Sequence, residues 1–502
     1  MATASKESTG FAKRLDTYFS VSERGSSFGQ EVRGGLTTFF TMAYIVVLNP
    51  LILGFVKDRN GNFLGGDSTN GKNLAVIAAG TALVAGIMTV MMGAWARFPL
   101  AVAAGLGINS VVAYGLVANM GLTWPEAMGF IVLEGVLVLI LVLTKLRQKL
   151  LVAVPLALKK AIAAGIGLFL AFIALWDARV VTDPSPAGVP GVGPGDATPS
   201  TFGIDGAIST WPTLVFVIGL LFAAFLYIRK VRGAFLIAII GTTVLAFLVE
   251  AIAKLGGYGG GLGNPKGWAL NVPTFSGKDL IAAPNFGTLG HVSFSGFAHL
   301  GILSGILLAF SLFMIDFFDT MGTMTAVGEE AGLNDDEGIP DHSQEILIVD
   351  SVAAIAGGLG GVSSNTAYIE SASGVGDGAR TGLSSIVTGA AFLIAIFLAP
   401  LTSLVPFEAA TPVLLLVGLL MLTSVVDIDW RDWRIAVPAF LTIIVMPFGY
   451  SISAGIGLGL ISYAVLHAAT GKAKEVKPLM WAAAGLFAVY FAQDLITYLI
   501  HH

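Results

Sequence analysis

The chain contains no cysteine, which excludes a disulfide framework, a thiol nucleophile and a thiolate metal site, and says little about compartment. Charge is scarce too: Asp, Glu, Lys and Arg make up 12% of the 502 residues, against roughly 25% in a soluble domain. No polar stretch long enough for a soluble catalytic domain lies between the apolar runs. An HExxH metalloprotease motif is missing, and "GLGINS" (105–110) lacks the third glycine and the strand-turn-helix setting of a dinucleotide site. Neither an enzyme nor a cofactor is therefore expected. The net charge of −5 is small and the basic residues fall in scattered pairs, so no nucleic-acid partner is implied. The start, "MATASKESTGFAKRLDTYF", has no apolar run before a small-residue cleavage site; it does not read as a cleaved signal peptide, and the first apolar span is expected to direct insertion.

What the chain has in abundance is apolar length. Hydrophobic residues make up 55% and the mean hydropathy is +0.83. Runs of about 20 residues, enough to cross a bilayer as helix, recur from Thr37 onward. The lipid bilayer is thus a partner, and the chain reads as an all-α polytopic membrane protein. Spans are placed near 35–55, 74–95, 99–118, 124–144, 155–176, 212–228 and 234–254, and again near 298–327, 345–360, 363–377, 380–400, 411–426, 434–449 and 451–470. The two sets have equal, odd numbers of spans, so the second set, if homologous to the first, lies upside down. Lys145, Arg147, Lys149, Lys159 and Lys160 follow the fourth span, and Arg229, Lys230 and Arg232 the sixth. The positive-inside rule puts these connections and the N-terminus, with Lys13, Arg14, Arg24 and Arg33, in the cytoplasm. The Pro/Gly-rich connections 177–211 and 256–297 then face outward. The apolar stretch Pro478–Ile500, interrupted by Gln493 and Asp494, either lies in the interface or adds a span.

Two segments are anomalous in corresponding places. "FPLAVAAGLGINSVVAYG" (98–115) and "GGVSSNTAYIESASGVGDG" (360–378) are each short, small-residue-rich and broken by glycine after an extended-looking start. Paired broken segments point to a transporter's central site, because a half-helix starting in mid-membrane exposes unpaired N–H groups that only a cavity or surrounding protein can satisfy. Tight packing of small residues is the alternative reading. Near them lie acids that are costly in hydrocarbon, about 2.5 kcal/mol or more each. Asp316 and Asp319, in "SLFMIDFFDTMGT" (311–323), are three residues apart on nearly one helix face, with no other charged residue between His299 and Glu329. Asp319 falls mid-span and is a candidate for touching substrate or proton; Asp316 contacts them or braces a neighbouring helix. Glu370 sits at the break of the tenth span, where the half-helix N-terminus would favour its anion. Asp350 and Glu134 are weaker candidates, with Glu134 read as a brace. Asn109, at the matching break of the third span, is a neutral donor and acceptor.

The segments "GGLTTFFTMAYIVVLNP" (34–50), "AAGLGINSVVAYG" (103–115), "FMIDFFDTMGT" (313–323) and "NTAYIESASGVGDGARTGLSSIVTG" (365–389) closely resemble the AzgA-like purine permeases, a branch of the nucleobase/ascorbate transporter, or nucleobase cation symporter, superfamily. The resemblance runs over nearly all of 15–470. It implies about fourteen transmembrane segments as two inverted repeats of seven, with broken segments three and ten containing short extended stretches. It also implies a core domain (spans one to four and eight to eleven) moving elevator-fashion against a gate domain (five to seven and twelve to fourteen), and proton-coupled uptake across the plasma (inner) membrane. On this division 1–34 is a cytoplasmic segment, 35–176 the first core part with the start of the gate, 177–297 outer loops and gate spans six and seven, 298–400 the second core part, 401–470 gate spans twelve to fourteen, and 471–502 a tail with an apolar helix. By motif, the substrate-contacting residues fall on Asp319, Glu370 and Asn109, and Asp350 matches an acid of span nine. Where uracil-transporting relatives have a histidine four residues after the span-eight acid, this chain has Thr323, which is counted with the substrate-binding residues. No histidine lies in a core motif, so proton coupling is assigned to the carboxylates Asp319, Glu370, Asp316 and Asp350. Relatives are often homodimers through the gate domain, and the sequence leaves that assembly open.

This chemistry suits an oxopurine. Guanine presents N1–H beside an exocyclic NH2, a pair that one carboxylate accepts in parallel; hypoxanthine keeps the N1–H, and adenine pairs best with a protonated acid or an asparagine. Guanine and hypoxanthine are therefore preferred over adenine, by a modest margin. Phe317 and Phe318 either stack on a base or face lipid and neighbouring helices. Rival readings are an anion carrier of the same architecture, which Asp319 and Glu370 would repel, a carrier for another nucleobase such as uracil or xanthine, and a passive facilitator.

Overall fold

The computed structural model describes residues 10–66, 72–144, 154–182, 201–203, 208–258, 264, 266–269, 271–274, 283–335 and 339–492. Among them, eleven helices are long and apolar enough to cross a membrane. In chain order the elements begin with a peripheral helix α1 (Gly10–Phe19), then α2 (Phe28–Met42) and α3 (Ile45–Leu53), which together form the first span, and α4 (Lys72–Met91). Next come the strand β1 (Val102–Ala104), the half-helix α5 (Leu106–Ser110, continued in wider helical turns to Asn119), α6 (Trp124–Leu143) and α7 (Leu156–Asp177). A small outer ribbon, β2 (Val181–Thr182) with β3 (Thr201–Phe202), precedes α8 (Trp211–Ile228) and α9 (Ala234–Ala253).

The second half mirrors the first. After a short turn α10 (Gly296–Leu300) come α11 (Ile302–Ala331), α12 (Ser343–Gly360), the strand β4 (Asn365–Ala367), the half-helix α13 (Ser371–Gly376) and α14 (Gly382–Ala395, tightening to 3-10 turns up to Leu404). Then follow α15 (Phe407–Leu422), α16 (Trp433–Phe448), α17 (Ile452–Ala469) and α18 (Pro478–Phe491). The spans expected near 99–118 and 363–377 are thus the strand-plus-half-helix units. The tail segment is a 14-residue helix packed on α17 and α11, and residues 493–502 lie outside the described residues, as do Lys145, Arg147 and Lys149.

The two extended stretches meet at the centre. β1 and β4 pair antiparallel, Val102 with Ala367, Ala103 with Thr366 and Ala104 with Asn365. Because each strand leads directly into its own half-helix, antiparallel pairing sends α5 and α13 in opposite directions. The small side chains of "AVAAG" make this crossing possible, and a Cβ on Gly105 would already stand 2.8 Å from Thr366 Cγ2. Polar backbone at this depth is satisfied internally, as a membrane interior requires: Thr89 Oγ1 accepts from Val102 N–H (3.1 Å) and donates to Val102 C=O (2.9 Å), Ser371 Oγ accepts from Ala101 N–H (3.0 Å), and Tyr368 O–H donates to Ala104 C=O (2.6 Å).

Glycine seams repeat the same symmetry. Gly93 and Gly382 join α4 to α14, each placed so that an added Cβ would lie 2.2 to 2.3 Å from the other's carbonyl oxygen, and Gly86 faces Gly389 one heptad away. Gly135 and Gly358 join α6 to α12, the inverted counterparts, and Gly167 and Gly418 face each other between α7 and α15, where a Cβ added to either would lie 2.5 Å from the other's carbonyl oxygen. Around the crossed strands pack α2, α4, α6, α11, α12 and α14, while α7 to α9 and α15 to α17 form a second layer beside them.

The first span begins earlier than its hydropathy indicates, at Phe28 rather than near 35. Glu31 is tolerated inside the helix because its carboxylate accepts from the N–H groups of Arg380 (2.9 Å), Thr381 (3.3 Å) and Ser384 (3.3 Å) at the start of α14. Arg24 ties the N-terminal segment to the same face through Asp341 (2.7 Å) and the carbonyls of Arg97 and Arg380, both 3.2 Å. Arg232 reaches that face too, pairing with Asp377.

Candidate functional site

The site is built where α11 passes the crossed strands. Asp319 projects into a crevice and is solvent-accessible, whereas Asp316, one turn before it, is sealed at 0% exposure. Accessible positions on α11 then recur at Gly322, Ala326, Glu329 and Glu330, one face of the helix. In the other direction every residue from Leu307 to Phe317 is buried except the half-buried Phe310. Among the described residues of α11 the accessible positions thus run toward its Ala331 end, the face that carries Arg24, Arg232 and Arg380. The facing wall of the crevice is α13, where Ile369 is 50% exposed, Glu370 half-buried, and a Cβ on Gly376 would lie 3.9 Å from Glu330 Oε1.

Glu370 and Asp319 are electrostatic neighbours across this crevice. Glu370 stands at the N-cap of α13, yet its side chain makes no capping hydrogen bond. Its carboxylate accepts the Tyr44 hydroxyl at Oε1. Tyr44 was not singled out from the sequence. It occupies the break between α2 and α3, and a lone tyrosine in an apolar run upstream of Pro50 was the available signal.

Behind Asp319 lies a second, enclosed group of acids. Asp316 is beside Glu134 and Asp350, all three with no exposure. Thr320 Oγ1 donates to Asp350 Oδ2 (2.8 Å) and stands 2.8 Å from Thr366 Oγ1, at the middle of the strand crossing. Ser364 Oγ donates to Glu134 Oε1 at 3.3 Å. That hydrogen bond joins α6 to the segment leading to β4, and Glu134 also belongs to the acid group. Among the described residues no salt bridge joins any of these five carboxyls to a cation.

The remaining candidates sit close by without sharing the open crevice. Asn109, in α5, is fully buried, and neither its Oδ1 nor its Nδ2 has a hydrogen-bond partner among the described residues. Thr323, one turn past Asp319, is 8% exposed. Phe317 is buried and stacks on Phe313 with centroids 5.4 Å apart, so it packs within the protein; the Phe318 side chain lies outside the described residues. No cluster of three or more His, Cys, Asp or Glu able to hold a metal ion is found among the described residues.

Comparisons with known proteins agree with this architecture. The sequence signature of the Permease family (Xan_ur_permease) matches residues 29–458. The chain is 34% identical over 475 residues to the adenine permease AdeP of Escherichia coli, covering 94% of this chain and 95% of that protein. It is 34% identical over 483 residues to the guanine/hypoxanthine permease PbuG of Bacillus subtilis, covering 95% and 99%. Among solved structures, the transmembrane domain of the cyanobacterial bicarbonate transporter BicA superposes with a TM-score of 0.57 at 14% identity, over 85% of this chain and 97% of that one. Murine Slc26a9, an anion transporter in the inward-facing state, gives 0.58 at 13% identity, over 93% and 73%. These structures share the fold.

Proposed function

Since the chain belongs to the Permease family, we propose that it imports purine nucleobases by proton symport, with guanine and hypoxanthine preferred and adenine accepted. The observation that carries this reading is the pairing of an open carboxylate, Asp319, with Glu370 across a crevice. Two carboxyl groups facing one another offer acceptors for the N1–H and NH2 of an oxopurine. A protonated member offers the donor that adenine's ring nitrogens need. Like charges on neighbouring carboxyls in a partly enclosed crevice repel. A proton on one carboxyl and a base bound to the other therefore favour each other, and that mutual preference is all coupling requires. The enclosed acids Asp316 and Asp350, joined to the strand crossing through Thr320 and Thr366, extend the proton path.

The layer around the crossed strands acts as the core and the layer of α7 to α9 and α15 to α17 as the gate, the core carrying the site across by sliding. With the basic face in the cytoplasm of a cell whose inner membrane holds the chain, the crevice is open inward. Asn109, on the opposite half-helix of the same core, travels with the site.

The test is hypoxanthine accumulation in proteoliposomes with and without an inward proton gradient, alongside Glu370→Gln. Gradient-driven uptake abolished by the variant is the expected result. Equal uptake without the gradient removes symport, and an unaffected variant removes this site.

A further inference from the structure

Tyr44 has two neighbours that belong to different layers. Its hydroxyl donates to Oε1 of Glu370, and its ring stands edge-on to Phe235 of α9, centroids 5.6 Å apart at 85°. Phe235 in turn stacks face to face on Tyr227 of α8 at 5.6 Å and 6°. Tyr44 is 1% exposed and Phe235 6%, so both contacts are made away from water, where an aromatic pair and a hydrogen bond to a carboxylate count for most.

The turn between α8 and α9 reaches the same half-helix a second time. Arg232 pairs with Asp377, the residue that caps the other end of α13, while Thr37 Oγ1 donates to Asp377 Oδ2 (2.6 Å) and Arg33 donates to the Asp377 carbonyl (2.6 Å). Gly233 makes the approach close: it has φ +68°, and a Cβ there would lie 3.1 Å from the Phe40 carbonyl oxygen. Both ends of α13, Glu370 and Asp377, are thus tied to one corner, Tyr227 to Phe235. One tie runs through Tyr44 and the other directly through Arg232.

We propose that Tyr44 is a positioning residue for the substrate-binding carboxylate and that, through Phe235, it links the occupancy of Glu370 to the turn between the sixth and seventh spans. The proposal rests on the purine-transport reading above. By holding Oε1, the phenol leaves Oε2 as the acceptor that faces the crevice. Removing the hydroxyl frees the carboxylate to rotate and weakens binding of the base. Removing the Phe235 ring leaves binding intact and breaks the link to the gate, which changes turnover instead.

The experiment measures initial rates of hypoxanthine uptake, with adenine in parallel, for wild type, Tyr44→Phe and Phe235→Leu. All three are reconstituted at equal protein per vesicle and checked for equal melting in detergent. Tyr44→Phe is expected to raise KM about tenfold, the scale of one hydrogen bond to a charged group, with Vmax within about twofold. Phe235→Leu is expected to lower Vmax about fivefold, the scale of an aromatic pair, with KM unchanged. A merely structural role for Tyr44 would lower the amount of active protein and so Vmax alone. Wild-type KM in Tyr44→Phe, or a fall in Vmax without a change in KM, overturns the assignment while leaving the transport reading standing. If Tyr44→Phe fails to insert, wild-type kinetics in Phe235→Leu overturn the link to the gate. Wild type taking up neither base removes the transport reading and this assignment with it.

Discussion

At the scale of single residues, Asp316 and Asp319 show how a small angular difference separates two chemistries. They are one turn apart on α11, yet Asp319 meets the crevice and Asp316 is enclosed with Glu134 and Asp350. Their substitutions are accordingly expected to differ. Asp319→Asn should raise the KM for a purine about tenfold or more, because a charge-assisted acceptor is lost. Asp316→Asn, out of reach of the crevice, should leave KM within about threefold and reduce the accumulation driven by a proton gradient. Uptake kinetics with and without the gradient separate the two, and a raised KM in Asp316→Asn would place that acid in the binding site instead. The sequence made both acids visible as expensive occupants of an apolar span, but periodicity alone put them on nearly the same face. Which of them is open depends on α6 and α12, whose acids enclose Asp316.

At the scale of elements, the glycine seams decide how closely the helices approach. Gly167 and Gly418 meet with no room for a side chain, since a Cβ on either would lie 2.5 Å from the other's carbonyl oxygen. Gly167→Val is expected to cost about 1–3 kcal/mol, the usual penalty of overpacking. It should appear as a lower melting temperature in detergent, while Gly485→Ala in α18, where nothing lies within 4 Å, should leave melting unchanged. The broken elements were legible from composition: glycine and serine in "AAGLGINS" and "IESASGVG" mark the half-helices, and the runs before them are the strands β1 and β4. The early start of α2 was not legible, because Glu31 and Arg33 look like membrane-excluded charges until α13 and α14 supply their partners. The break between α2 and α3 was missed for a related reason: in the predominantly apolar run 37–53 the marked breaker, Pro50, lies six residues past Tyr44, so hydropathy does not show where the helix is interrupted.

At the scale of the molecule, the natural lack of cysteine provides a test of which way the crevice opens. Gly322→Cys and Ala326→Cys lie on the accessible stripe of α11, and Leu312→Cys lies on the buried stretch before it. In inside-out vesicles a membrane-impermeant maleimide should label the first two and spare the third, and bound hypoxanthine should slow labelling at Gly322→Cys. Labelling only in right-side-out vesicles would reverse the orientation assigned to the basic face. The inverted symmetry supports the two-layer mechanism at this scale. Antiparallel pairing of β1 and β4, with the reciprocal Gly167–Gly418 contact, relates the halves as inverted repeats, the arrangement that lets a transporter offer its central site to either side in turn.

The sequence by itself determined that this is a helical membrane protein with two matched halves, interrupted in corresponding places and carrying acids where hydrocarbon penalises them. Apolar length, glycine placement and the cost of a charge in lipid are local properties, readable residue by residue. Only the tertiary structure decided that Tyr44 donates to Glu370, that Asp319 is open while Asp316 is sealed, and that Glu134 lies beside Asp316. Each of these depends on which side chain from a distant segment arrives at a given point, and the crossing of β1 over β4, residues 102–104 against 365–367, is what brings those segments together.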